Sequence, residues 1–223
     1  MNNRSAAAAY AALAAALVGG AALLFRSTAP PTDTAVTPPA VAVTYDPARQ
    51  PRPELNGREL TYGSEHFLIH FTDEGDNAMP PKDENANGAP DFVERTADGM
   101  ENSWNVEMNR IGFAPPPFDG GLGGDGRFDI YLLYIDYFGY ADSAGGFIGD
   151  NPLTPQREQR AAFSYMALDN TFQAYLDKFG VAVNDALDIT SAHEFNHSVQ
   201  YGYDANEELW LMESTAAAVE ELV

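Results

Sequence analysis

The 223-residue chain has no cysteine, only four histidines and only two lysines, Lys82 and Lys178. The absence of cysteine excludes disulfide bonds, thiolate metal sites, a cysteine nucleophile and a lipid-anchored N-terminal cysteine. Basic residues are also few, since 12 Lys and Arg stand against 33 Asp and Glu, giving a net charge of −21. A surface so negative repels phosphate backbones, which excludes nucleic acid as the default partner. Any bound metal must therefore be held by histidine and carboxylate side chains.

The N-terminal part of the chain differs in composition from the rest. An uncharged run from Ala6 to Phe25 lies between Arg4 and Arg26, which predicts a signal peptide or an uncleaved membrane anchor over residues 1–26. Either alternative leaves the remainder exported, and this segment is the only part expected to contact a membrane. Residues 27–59 are rich in proline and predict an extended linker. The globular domain is expected over residues 60–223.

The order of predicted elements in residues 60–223 favours an α+β fold. Short apolar runs come first and predict strands, whereas the later periodic segments predict helices. We expect a small mixed sheet packed on a helix that carries the active site. The predicted strands are His66–Phe71, Phe128–Ile135 and Ala161–Leu168, and the predicted helices begin near Asp91, at Asn184–Asp185 and near Glu207.

The sequence His193-Glu194-Phe195-Asn196-His197 is the strongest chemical signal in the chain. Residues four apart lie one turn above each other on a helix, so both imidazoles can share one Zn²⁺ ion. Glu194 follows the first histidine and can reach water at the metal without being a ligand. This is the arrangement of a general base for hydrolysis.

A catalytic zinc needs a third protein ligand, and only carboxylates follow His197 in the chain. Glu213 is favoured because it lies in an apolar segment, where a buried charge is costly unless it is paired. Ala216 and Ala217 would also permit close approach to the helix of the two histidines. Glu220 could orient a ligand histidine, although solvation at a helix end is the favoured interpretation. The other downstream candidates are Asp204, Glu207 and Glu208.

A second oxygen-rich pattern lies upstream, between Asp83 and Glu94. It matches the twelve-residue EF-hand loop, with oxygen side chains at positions 1, 3, 5 and 9, glycine at position 6 and glutamate at position 12. This predicts a calcium ion that rigidifies the loop, the alternative being a polar loop that caps a helix. The expected ligands are Asp83, Asn85, Asn87, the carbonyl of Ala89, Asp91 and Glu94.

These pieces together resemble the gluzincin branch of zinc metallopeptidases. The layout is similar to a group of exported bacterial metalloproteases that have a histidine-containing strand, an Asn-Gly-x-Pro-Asp loop, a Gly-Gly-Asp-Gly-Arg turn, HEFxH and a Met-Glu-x-Thr-Ala helix. The similarity spans residues 60–223. It implies a zincin-like fold, with His193, His197 and Glu213 as zinc ligands and Glu194 as the base. The implied activity is hydrolysis of peptide bonds in protein or peptide substrates by zinc-activated water.

The chain departs from that layout at its C-terminus. Proteins of this kind continue past the last helix, so the resemblance implies that part of the cleft is missing. A residue that stabilises the tetrahedral intermediate is also expected, and the nearest candidates are Tyr201 and Tyr203. Two alternatives stay open, namely a calcium-stabilised cell-surface binding module and an inactive truncated protease with a non-catalytic zinc site.

Overall fold

The computed structural model describes residues 52–143, 146–158 and 160–223. The signal peptide or anchor predicted over residues 1–26, and the predicted linker up to residue 51, lie outside these ranges. Within the described ranges, no helix combines the length and the apolar character needed to cross a membrane.

Among the described residues, seven strands and one α-helix make up the first part of the domain, and three α-helices end it, as expected for an α+β fold. The strands are β1 (Leu60–Gly63), β2 (Phe67–Phe71), β3 (Phe128–Leu133), β4 (Gly139–Asp142), β5 (Phe147–Gly149), β6 (Ala161–Ala162) and β7 (Tyr165–Asp169). The α-helices are α1 (Asp91–Trp104), α2 (Gln173–Phe179), α3 (Val183–Asp204) and α4 (Leu209–Glu220).

Five strands form one mixed sheet in the order β1-β2-β3-β7-β4, so the predicted α+β class with a mixed sheet is confirmed. The three central strands β2, β3 and β7 are parallel, and the outer strands β1 and β4 are antiparallel to their neighbours. The central strands are buried along nearly their whole length, as parallel strands covered on both faces are. Strands β5 and β6 form a separate antiparallel pair.

Phe195 anchors helix α3 to the sheet. Its ring is fully buried and lies edge-on to Phe67 of β2 and Phe128 of β3, with ring centroids 5.3 Å and 5.7 Å away. Trp104, at the end of α1, contacts the same ring at 5.9 Å. The helix with the two motif histidines is therefore fixed to both the sheet and α1 by one aromatic cluster.

Residues 52–59, at the end of the predicted linker, already pack on the domain. Leu55 is buried beside Tyr131 and Leu133 of β3. Arg52 forms ion pairs with Asp119 and Asp129, both of which are buried. The packed part of the chain thus begins before β1.

The two upstream histidines are held by packing and carboxylates. His70 on β2 is fully buried, stacks on Tyr131 and contacts Glu59 and Asp129. His66 stacks on Trp104 at a centroid distance of 4.0 Å. Both imidazoles therefore stack on an aromatic ring and contact carboxylates, Glu101 in the case of His66.

Helix α1 begins at Asp91, as predicted, but its last part is not α-helical. Residues Asn105–Ile111 continue α1 as a π-helix, in which hydrogen bonds span five residues and the side chains rotate relative to an α-helix. Apolar residues recur at intervals of three and four from Val93 to Ile111, which predicts one buried stripe on an α-helix, but Ile111 is exposed. Val106 and Glu107 are buried instead.

Glu107 is a carboxylic acid in the core. Its side chain is fully buried, one oxygen accepts a hydrogen bond from Asn196 Nδ2 at 2.8 Å, and the other oxygen has no partner among the described residues. Burial raises the pKa of Glu107 from 4.5 to about 8 because the charged form loses its hydration. The folded protein therefore keeps a proton here that the unfolded chain releases between these two pH values.

We expect the free energy of unfolding to fall as the pH rises from 4.5 to 8, because over that interval ionisation of Glu107 stabilises the unfolded chain while the folded protein retains the proton. Glu107→Gln cannot ionise but keeps an acceptor for Asn196, so its stability relative to the parent should increase with pH. The limiting slope for one proton is about 1.4 kcal/mol per pH unit. Urea unfolding at several pH values measures it.

The surface substitution Glu221→Gln is the matched control, because Glu221 is exposed. It should leave the pH dependence as it is in the parent. Identical pH dependence in the parent and in Glu107→Gln would show that Glu107 is ionised in the folded protein.

Candidate metal centre

His193 and His197 project from the same face of helix α3, one turn apart. Phe195 lies between them in sequence and faces the sheet, so the two imidazoles are directed away from it. Their Nε2 atoms are 3.1 Å apart. The side chain of His197 is more deeply buried than that of His193.

Helix α4 brings a third donor to this pair. Glu213 Oε2 lies 3.4 Å from His193 Nε2, and Oε1 lies 3.7 Å from His197 Nε2. Ligands at about 2.1 Å from a tetrahedral zinc are about 3.4 Å from one another. Each of these nitrogen–oxygen distances is close to that value, and His193, His197 and Glu213 are the group within the described ranges in which one donor atom from each residue lies within 4.8 Å of the others.

Hydrogen bonds on the far side of each imidazole fix which nitrogen carries the proton. His193 Nδ1 lies 2.5 Å from Glu220 Oε1, and His197 Nδ1 lies 2.8 Å from Gln200 Oε1. These oxygens only accept, so each neutral ring holds its hydrogen on Nδ1 and presents a lone pair from Nε2. Two facing lone pairs and a carboxylate attract a cation. Glu220, expected to be solvated, instead contacts His193.

The charges around the centre act differently on the two histidines. Burial lowers the pKa of His193, but the hydrogen bond to Glu220 and the nearby carboxylates outweigh it and raise the pKa above its ordinary value. Burial lowers the pKa of His197, and the neighbouring His193 adds to this effect. The partner of His197 is a neutral amide, which gives less electrostatic support to a charged ring than a carboxylate does.

Glu194 lies beside the two histidines in a mostly buried position. Burial raises the pKa of its carboxyl group from 4.5 to about 7, with the charge of Glu213 adding to the increase. The charge of His193 and a hydrogen bond from the Ala141 backbone N–H act in the opposite direction. A carboxyl group with a pKa near 7 can both take up and release a proton at neutral pH.

The structure separates the two candidate tyrosines. The Tyr203 ring packs on Phe113, and its hydroxyl accepts a hydrogen bond from the Ala114 N–H. Tyr201 donates to the Ala141 carbonyl at 3.3 Å. Burial raises the pKa of Tyr201 to about 12, and the charges of Glu194, Asp142 and Glu213 contribute to the increase. Tyr201 is therefore the tyrosine in the electrostatic environment of the centre.

The Asp83–Glu94 loop closes on itself through its side chains. The Glu94 carboxylate accepts hydrogen bonds from Asn85 Nδ2 at 2.9 Å and from Asn87 Nδ2 at 2.6 Å. Asp83 accepts from the N–H groups of Asn87 and Gly88, and Gly88 has a positive φ of 91°. Four of the predicted calcium ligands are thus linked: Asp83, Asn85, Asn87 and Glu94.

The other two predicted calcium ligands have separate contacts. One oxygen of Asp91 accepts from the Glu84 N–H, and the other lies 3.4 Å from Lys82 Nζ. The backbone N–H of Ala89 donates to Asn87 Oδ1 at 2.9 Å.

Sequence reasoning did not single out Gln200 or Ala141. Gln200 lies three residues after His197 on the same helix, a spacing that could have indicated contact. The role of Ala141 could not be predicted from its side chain, since it contributes only backbone atoms and lies in a four-residue strand.

The chain matches no protein-family model, no curated protein and no solved structure.

Proposed function

We propose that the protein is an exported zinc endopeptidase with a zincin-like domain. The observation that carries this proposal is the set of nitrogen–nitrogen and nitrogen–oxygen distances of 3.1 Å to 3.7 Å among His193, His197 and Glu213, together with the charge interactions of Glu194 with His193 and Glu213. Two imidazoles and one carboxylate are a donor set typical of catalytic zinc, which keeps a fourth position open. The side chain of Glu213 is 37% exposed, so the centre can be reached from solvent on that side.

The zinc ion and the protein side chains would contribute different steps of the hydrolysis. When bound, zinc would supply a Lewis acid that polarises a peptide carbonyl and acidifies water. Glu194 would accept the water proton and return it to the leaving amine, a role that its pKa of about 7 suits. Tyr201, which lies in the field of Glu194 and Glu213, is a candidate hydrogen-bond donor to the developing oxyanion.

The position of strand β4 supports a peptide as the substrate. Among the strands of the described ranges, β4 is at the edge of the sheet and pairs with β7 alone. The Ala141 carbonyl accepts a hydrogen bond from Tyr201, and the Ala141 backbone is one of the groups that lower the pKa of Glu194, so β4 passes the proposed catalytic residues. Extended peptides bind edge strands through backbone hydrogen bonds. A substrate chain beside β4 would lie near the metal centre.

Glu194→Gln should keep zinc bound and abolish peptide hydrolysis, because the amide cannot accept a proton. We expect about one zinc per chain by competition with a chromophoric chelator, and a fall in casein cleavage of at least about 100-fold. His197→Ala and Glu213→Ala should lose zinc affinity as well as activity, since each removes a ligand.

Glu221→Gln serves as the control, because the side chain is exposed and plays no part in the proposed chemistry. Casein cleavage by Glu194→Gln at the rate of the parent would refute the assignment. Zinc binding without chelator-sensitive cleavage would favour the non-catalytic binding module.

We also propose that calcium binds the Asp83–Glu94 loop. The observation in its support is the convergence of Asp83, Asn85, Asn87 and Glu94 on one another. Glu94 lies in the first turn of α1, so a cation there would tie the loop to the helix that packs on the sheet.

Calcium should raise the midpoint of thermal unfolding, since a ligand that binds only the folded state stabilises it. The gain is about 2.7 kcal/mol when free calcium is at a hundredfold excess over Kd. Glu94→Gln should abolish the gain, because it removes one charged oxygen from position 12 of the loop. Thermal unfolding in EGTA and in millimolar calcium checks this, with Glu221→Gln as control. A calcium-induced increase of equal size in Glu94→Gln would contradict the proposed site.

A further inference from the structure

Gln200 joins the two helices of the metal centre. Its Oε1 accepts from His197 Nδ1 at 2.8 Å, and its Nε2 donates to the carbonyl of Met212 at 2.9 Å. Met212 precedes Glu213 in helix α4. Because a carbonyl oxygen only accepts, the NH₂ end of Gln200 must face α4. The oxygen end must then face His197.

A buried hydrogen bond holds the same orientation from the other side. Gln200 Nε2 also donates to Asn196 Oδ1 at 2.9 Å. Asn196 Nδ2 donates to Glu107 on the π-helical segment at 2.8 Å. Asn196 and Glu107 are 1% and 0% exposed, so water does not compete for these bonds. The network extends from His197 to the core.

We propose that Gln200 is a positioning residue that holds His197 in the Nδ1–H tautomer and keeps helix α4, with Glu213, in register beside helix α3. This inference rests on the proposed zinc site. Groups behind metal-bound histidines fix the tautomer and ring orientation, and their loss typically costs about 10- to 100-fold in metal affinity. Gln200 performs this task for His197 as Glu220 does for His193.

The chemistry of an amide explains why glutamine suits this position. A carboxylate could accept from His197 but could not donate to the Met212 carbonyl or to Asn196 Oδ1. An amide does both, and it adds no charge to a centre that already contains Glu194, Glu213 and Glu220. The contacts of Gln200 therefore require one acceptor and one donor group on the same planar side chain.

Two substitutions at this position separate its functions. Gln200→Met removes acceptor and donor, so His197 should populate both tautomers and zinc affinity should fall about 10- to 100-fold. Gln200→Glu keeps the acceptor, so the Nδ1–H tautomer should be retained while the hydrogen bond to the Met212 carbonyl of α4 is lost. Gln173→Met, at an exposed position on α2, is the matched control and should change neither property.

Long-range ¹H–¹⁵N NMR on the metal-free full chain, at a pH where the imidazoles are neutral, measures the tautomer without relying on activity. Competition with a chromophoric chelator measures zinc affinity.

Mixed tautomers in Gln200→Met together with a single tautomer in Gln200→Glu would support the proposal. If Gln200→Met instead keeps the Nδ1–H tautomer and the zinc affinity of the parent, Gln200 is not a positioning residue, even where the parent is an active zinc peptidase. Failure of the parent to bind zinc would overturn the proposed function, and the tautomers would still report the action of Gln200 on His197.

Discussion

The packing of Phe195 on the sheet is the contact on which the metal centre depends. This ring lies between the two motif histidines in sequence and is held by β2, β3 and α1 at once. Helix geometry then leaves His193 and His197 no direction except away from the sheet. An aromatic core contact therefore determines which face of α3 is available for chemistry. The burial of Phe195 and the direction of His193 and His197 therefore follow from the same orientation of helix α3.

Close packing of α3 and α4 brings the carboxylates of α4 to the two histidines. Ala216 is fully buried, and Met212 and Val219 complete the inner face of α4. With these side chains inward, Glu213 reaches both histidines and Glu220 reaches the back of His193. Charged groups are thus concentrated at the boundary of the two helices, where each is paired with an imidazole. Such pairing is what makes buried charge tolerable.

The features of the metal centre that depend on local spacing could be predicted from the sequence. A four-residue interval predicts two histidines on one helix face, and apolar neighbours single out Glu213, because these arguments need no tertiary information. Glu107 and Ala141 were not predictable in the same way, since their surroundings arise from segments far apart in the chain, and the contact of Gln200 with Met212 depends on how α3 and α4 pack. The change from α- to π-helix after Trp104 was missed for a related reason, as the stripe from Val93 to Ile111 fits an α-helix. Buried contacts, not local propensity, determine the rotation that brings Glu107 into the core.

The placement of the three donors on two helices has a mechanical consequence for a chain without cysteine. An ion bound by His193, His197 and Glu213 would close a loop through the turn between α3 and α4, as a covalent cross-link does. Ion binding and the packing of α4 on α3 would then stabilise each other. Release of the metal would then require α4 to move away from α3. The rate of that movement would help to set how long the metal stays bound.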